Sequence, residues 1–78
     1  MLLVISKPQE HTEQDVLWVD CQTTEGAITI QPGHAPFVAL LKPNSSITVG
    51  LDESRTESIA LADGYLMAER DRVLIVTM

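Results

Sequence analysis

Three side chains in this 78-residue sequence carry ligand or nucleophile chemistry: His11, Cys21 and His34. Together they could supply part of a metal set, but their spacing matches no known site, in which ligands come in close pairs. Cys21 lies within an alternating run, on the side that the pattern turns inward, where it acts as a small apolar group. No serine has a nucleophile-elbow setting. The eleven Asp and Glu residues are dispersed over turns, so no carboxylate pair is placed for acid–base work. No glycine-rich phosphate loop opens a helix. The inventory predicts no catalytic residue, no cofactor-binding residue and no metal ligand.

His34 needs a second reading, because of the stretch that holds it. In Gln31-Pro32-Gly33-His34-Ala35-Pro36, Pro32 pre-sets φ for position i+1 of a turn. Gly33 supplies the positive φ that a type II turn requires at i+2. Pro36 keeps Ala35 extended. The result is a stiff corner. His34 there is either a turn histidine packed on local backbone or a docking residue for a partner. With no nucleophile, base or metal beside it, the corner reads better as a docking surface than as an active site.

The elements that hold this corner read as strands. Leu2 to Ile5 is a short buried strand ended by Pro8, and Gln9 to Gln14 is a polar connection or the start of the next strand. Asp15 to Thr23 alternates, with Leu17, Val19 and Cys21 expected inward and Val16, Trp18 and Asp20 on the other face. Trp18 is either a rim residue covered by a neighbouring strand or a partner contact. After the turn Thr23 to Gly26, Ala27 to Ile30 places Ile28 and Ile30 on one side. Phe37 to Leu41 is nearly all apolar and reads as a strand buried on both faces, or entering an interface.

Ser45 to Leu51 alternates with Ile47, Val49 and Leu51 inward, Asp52 to Ser54 forms a hairpin tip, and Arg55 to Ala62 alternates with Ile59 and Leu61 inward. Asp63-Gly64 is a tight-turn dipeptide, Tyr65 to Glu69 a strand, Arg70-Asp71 a turn, and Arg72 to Thr77 a β-branched last strand. Period 2 prevails over period 3.6 throughout, and turn signals recur at the spacing of a sandwich or barrel. The charges Asp52, Glu53, Glu57, Glu69 and Asp71 read as solvated tips that guard strand edges. The fold class is all-β: one domain over residues 1–78, a small flattened sandwich or barrel of roughly eight to ten short, mostly antiparallel strands, with no substantial helix.

Composition narrows the partners. Five Lys and Arg against eleven Asp and Glu give a net charge of −6. Nucleic acids and anionic lipid call for a basic patch, which the five scattered basic residues do not form. One cysteine permits no internal disulfide. Met1 to Ile5 is apolar but lacks a basic region before it and stops short of a signal core, and no run approaches a membrane span.

The run Glu25 to Pro36, followed by Leu41-Lys42-Pro43, resembles the epsilon subunit of F-type ATP synthase, called delta in mitochondria. The family shows Glu-Gly-x-φ-Gly-φ-x-Pro-Gly-His-Ala-Pro and then φ-Lys-Pro-Gly, with φ an apolar residue. Pro32-Gly33-His34-Ala35-Pro36 and Lys42-Pro43 match outright, and Glu25 keeps the family's glutamate. Ala62 to Leu66 with Arg72 to Val76 is similar to the family's Gly-Gly hairpin and last strand. Here Ala27 stands where an acid is frequent, Thr29 replaces a glycine, and Asp63 replaces the first of the glycine pair.

The resemblance implies a flattened β-sandwich at the foot of the rotary stalk, without catalysis or cofactor of its own. One side binds the gamma subunit and one end rests on the polar loops of the membrane c-ring, with neither nucleic acid nor inserted lipid as partner. Ring-facing candidates are Glu25, Ala27 and the corner Gln31, Pro32, Gly33, His34, Ala35 and Pro36. Gamma-facing candidates are Trp18, Phe37, Val38, Leu40 and Leu41. The family's C-terminal two-helix hairpin is expected to be absent, so its inhibition and ATP binding are not carried over. The expected location is the cytoplasmic face of a bacterial inner membrane, or the matrix or stroma side of an organelle. Two other readings stand beside this one. One is a cupin-like enzyme or metal module using His11 and His34. The other is a stand-alone binding sandwich that has lost the ATPase role.

Overall fold

A computed structural model describes all 78 residues and contains nine strands and no helix. They are β1 (Leu2–Lys7), β2 (Glu10–Asp15), β3 (Trp18–Thr23), β4 (Gly26–Ile30), β5 (Phe37–Leu40), β6 (Ser45–Gly50), β7 (Thr56–Leu61), β8 (Gly64–Ala68) and β9 (Arg72–Thr77). A five-stranded sheet has the order β2-β1-β9-β8-β5, and a four-stranded sheet the order β4-β3-β6-β7. All neighbours are antiparallel except β1 and β9, the first and last strands, which run parallel. The short axis of 18 Å is what two sheets packed about 10 Å apart produce.

The inward residues fuse into one core. Leu3, Ile5, Leu66, Val73 and Ile75 from the larger sheet meet Val19, Cys21, Ile30, Ile47, Val49 and Leu61 from the smaller one. Phe37, Ile28, Leu51 and Ile59 seal its edges, half-buried. Every buried side-chain polar atom is hydrogen-bonded, as the cost of an unpaired buried group demands.

Four expectations change. Gln9 to Gln14 lies largely in β2, a fully formed strand whose side chains are nearly all exposed. It is an edge strand paired with β1 alone, so it needs no apolar side chains, and periodicity could not reveal it. Second, Asp15 to Thr23 is not one strand. The chain leaves β2 at Asp15 and enters the other sheet at Trp18, with Val16 N–H donating to Met1 O at 2.9 Å and Leu17 N–H to Gly50 O at 2.7 Å. That sheet change resets the alternation, so Val16 is buried and Leu17 is 46% exposed, the reverse of the expectation for this pair.

Third, β5 is not buried on both faces. It is an edge strand, with Val38 66% and Leu40 63% exposed. Fourth, Asp63-Gly64 is no hairpin turn. It carries the chain from β7 in one sheet to β8 in the other, with the Thr77 hydroxyl donating to Asp63 O. The Asp52–Ser54 tip does close a hairpin, between β6 and β7. Asp52 Oδ1 accepts from Ser54 N–H and Arg55 N–H, both at 2.9 Å, and Arg55 Nε–H donates to Oδ2 at 2.6 Å. These bonds, led by the one from Ser54 N–H, lower the Asp52 pKa. Their contribution is therefore present above the ordinary carboxylate pKa and is lost as pH falls through the depressed one.

Candidate docking surfaces

The Pro-Gly corner forms as its residues dictate. Gly33 has φ +84°, and His34 N–H donates to Gln31 O at 3.2 Å, closing the turn. A second bond, Gly33 N–H to Arg70 O at 2.7 Å, ties the corner to the β8–β9 turn. His34 is half-buried. Its Nδ1–H donates to Ala35 O at 2.8 Å, and its ring lies 5.0 Å from the Phe37 ring at a 58° tilt. The imidazole thus braces the corner, while Gln31, Pro32, Gly33, Ala35 and Pro36 face solvent.

Glu25 stands on the β3–β4 turn, which the buried Thr23 organises. Its hydroxyl donates to Gly26 O at 2.7 Å and accepts from Glu25 N–H at 3.1 Å. Thr24 N–H donates to Leu40 O at 3.0 Å, setting this turn beside the end of β5. Glu25 and Gln31 therefore occupy opposite ends of β4, about 20 Å apart at a strand's rise per residue. Glu25, Ala27 and the corner share one edge of the sandwich but not one tip.

The other candidate set divides. Val38 and Leu40 point out from the five-stranded sheet. Leu41 is buried, and Phe37 packs on the core. Trp18 lies on the outward face of the other sheet, its indole over Gly50 on the neighbouring strand, where a methyl group would collide with it. What the residue-by-residue reading missed is the set that joins Val38 and Leu40. Register places Val4, Leu74, Met67 and Val38 in one row across four strands, and Val76, Tyr65 and Leu40 in the next. This apolar field continues into a cleft of about 480 Å³ that includes Pro43 and Met78. It ends at β2, where Glu13 is opposite Val4 and bonds His11 at 3.2 Å. The alternation of Tyr65 and Met67 with Leu66 was visible in sequence, but their adjacency to β5 is a long-range pairing.

The three chemistry-bearing side chains are kept apart. His11 is on β2, His34 braces the corner, and Cys21 is buried in β3. No three His, Cys, Asp or Glu side chains come close enough to hold a metal ion. Burial, aided by the adjacent Asp20 carboxylate, pushes the Cys21 thiol up to about 11 from 9.0. Between those values the native chain holds a proton that the unfolded chain has lost, so stability falls as pH rises. The expected loss by pH 11 is about 2–3 kcal/mol. Urea titrations at pH 8 and pH 11 should show it in the wild type, and a Cys21→Val variant should lose that much less.

Comparison with known proteins follows the same lines. The family model for the ATP synthase delta/epsilon chain β-sandwich domain matches residues 1–78. The chloroplastic ATP synthase epsilon chain of Bigelowiella natans is 38% identical over 66 residues, covering 83% of this chain and 47% of that one. The epsilon chain of Thermobifida fusca is 43% identical over 60 residues, covering 74% and 44%. The chain thus spans about half the length of the curated relatives it matches. Among solved structures, a chain of the Euglena gracilis mitochondrial ATP synthase (OSCP/F1/c-ring) superposes with a TM-score of 0.89 at 20% identity, over 99% of this chain and 49% of that one. A chain of the Tetrahymena thermophila mitochondrial ATP synthase (central stalk/c-ring) gives 0.80 at 14% identity, over 100% and 63%. At such identities these two superpositions speak for the fold.

Proposed function

This chain belongs to the family of ATP synthase delta/epsilon chains, and from that premise we propose that it is a non-catalytic rotor part of the central stalk, coupling a gamma subunit to the c-ring. The observation that carries this reading is the apolar field on the five-stranded sheet. Val38, Met67, Tyr65 and Leu40 stand exposed side by side there, and contiguous exposed apolar surface of this kind marks an interface. Gamma binds on that field, with Val38 and Leu40 as the retained members of the earlier candidate set.

The β4 edge, with Glu25, Ala27 and the corner Gln31 to Pro36, faces the basic polar loops of the ring. Acidic charge on this chain suits such loops by electrostatic complementarity. The chain then works as a peripheral part of a membrane-bound complex, on the cytoplasmic face in a bacterium and on the matrix or stroma side in an organelle. It neither hydrolyses nor needs a cofactor in this role.

The deciding experiment mixes the purified chain with the gamma subunit of the same synthase. The expected result is a stoichiometric complex on size exclusion at micromolar concentration. Absence of binding at that concentration would remove the stalk reading and leave a stand-alone binding sandwich.

A further inference from the structure

Both rows of the apolar field end on β2, in one pair of side chains. Glu13 stands opposite Val4, at the end of the row through Leu74, Met67 and Val38. His11 stands opposite Ser6, at the end of the row through Val76, Tyr65 and Leu40. Two residues apart on one strand, they share its outward face. His11 Nε2–H donates to Glu13 Oε2 at 3.2 Å, with both side chains more than half exposed.

The pair has few charged neighbours. Asp15, two residues beyond Glu13, is a second carboxylate on the same face. From β1 the side chains beside the pair are Val4 and Ser6, neither of which titrates. Lys7 and Glu10 stand opposite each other on the other face of β1 and β2. Arg72 of β9 lies in the row of Leu2 and Asp15, but Glu69 holds its guanidinium at 2.5 Å. No strand pairs with the outer edge of β2. The charge of Glu13 is therefore matched on this chain by His11 alone, and only when the imidazole is protonated.

Histidine is the side chain that changes charge between about pH 5 and 8. A partner that covers the field also takes water from its border. With His11 neutral, the Glu13 carboxylate loses water without a counter-ion, which is costly. With His11 protonated, the two charges offset each other, and their attraction strengthens as water leaves. In the free chain the pair stays in water, where such an attraction counts for little.

We propose that His11 and Glu13 form a pH-sensitive border to the apolar field, through which protonation of His11 tightens the hold of gamma on this chain. This rests on the reading of the field as the gamma-binding surface, and adds regulation to it. By linkage the effect is reciprocal, so that gamma binding favours the protonated imidazole.

The test measures the affinity of the whole chain for purified gamma at about pH 6 and about pH 8. The wild type should bind about 3- to 10-fold more tightly at the lower pH. Glu13→Gln removes the carboxylate, and at the higher pH it should bind about as tightly as the wild type does at the lower. His11→Gln removes the counter-ion, and at both pH values it should bind like the wild type at the higher. Both side chains are exposed, so each variant should melt within about 3 °C of the wild type. If the wild type binds equally at both pH values, or His11→Gln keeps the full pH dependence, the assignment is overturned and the gamma-binding field stands. If the wild type binds gamma at neither pH, the field reading falls and the assignment falls with it.

Discussion

Replacing Gly64 with alanine should leave this chain substantially unfolded at 37 °C. Gly64 has φ +139°, a region that L side chains enter only with strain. An added Cβ there would be driven into the carbonyl of Val76 and the backbone of Thr77. Both belong to β9, a strand held between β1 and β8, so the obstacle is fixed main chain rather than a side chain that can swing aside. The same residue accepts Leu41 N–H at 3.0 Å, so moving it would disturb the place where the two sheets meet. Strain of about 1–3 kcal/mol adds to a comparable packing cost. Together they give about 2–6 kcal/mol, against a total of about 4–12 kcal/mol for a domain this size. Thermal unfolding followed by circular dichroism should show a drop of about 15–30 °C. A variant melting within 3 °C of the wild type would mean that the sheet crossover yields more easily than its geometry indicates.

The second large effect is on binding rather than folding. Met67→Glu should weaken association with gamma by about 100-fold, or about 2.7 kcal/mol, while shifting the melting temperature by only a few degrees. Met67 occupies the middle of the outward row, between Leu74 and Val38, and is 36% exposed. A carboxylate there meets water in the free chain but must be desolvated in the complex, which is how a central position becomes a hot spot. Ser58→Glu, on the outward face of the opposite sheet, is the control and should bind gamma normally. Equal losses in both variants would show that added charge, not the location of the apolar field, governs the association.

How far the sequence alone could be read depends on which contacts are local. The Gln31–His34 turn was legible, because proline and glycine chemistry within four residues determines it. So were the inward pairs Val19 with Cys21 and Ile47 with Val49, each set by period 2 within a single strand. Val16 and Leu17 were misjudged because the chain changes sheets between β2 and β3, and alternation carries no mark of such a change. β2 was obscure for a related reason: an edge strand exposed on both faces has no apolar period to detect.

At the candidate surfaces the same division holds. Glu25, Ala27 and the corner are near in sequence and lie on one edge. Trp18 and Val38 were grouped by residue type, yet they stand on opposite faces, because which sheet a strand joins is decided by pairings across the whole chain. Tyr65, Met67, Leu74 and Val76 escaped notice individually. Each is an unremarkable outward residue until register aligns them.

The parallel pairing of β1 with β9 has a temporal consequence. Partners such as Leu2 and Arg72, or Ile5 and Ile75, lie nearly a whole chain length apart, and closing so long a loop is entropically costly before any contact repays it. On the ribosome β1 emerges well before β9 and waits for that partner. Until β9 emerges, Leu3 and Ile5 lack the neighbours that bury them, and the five-stranded sheet is split between β1 and β8. Folding should therefore be a late, all-or-none event on a timescale of about milliseconds to seconds. The open β1 edge is the part of the nascent chain most in need of protection.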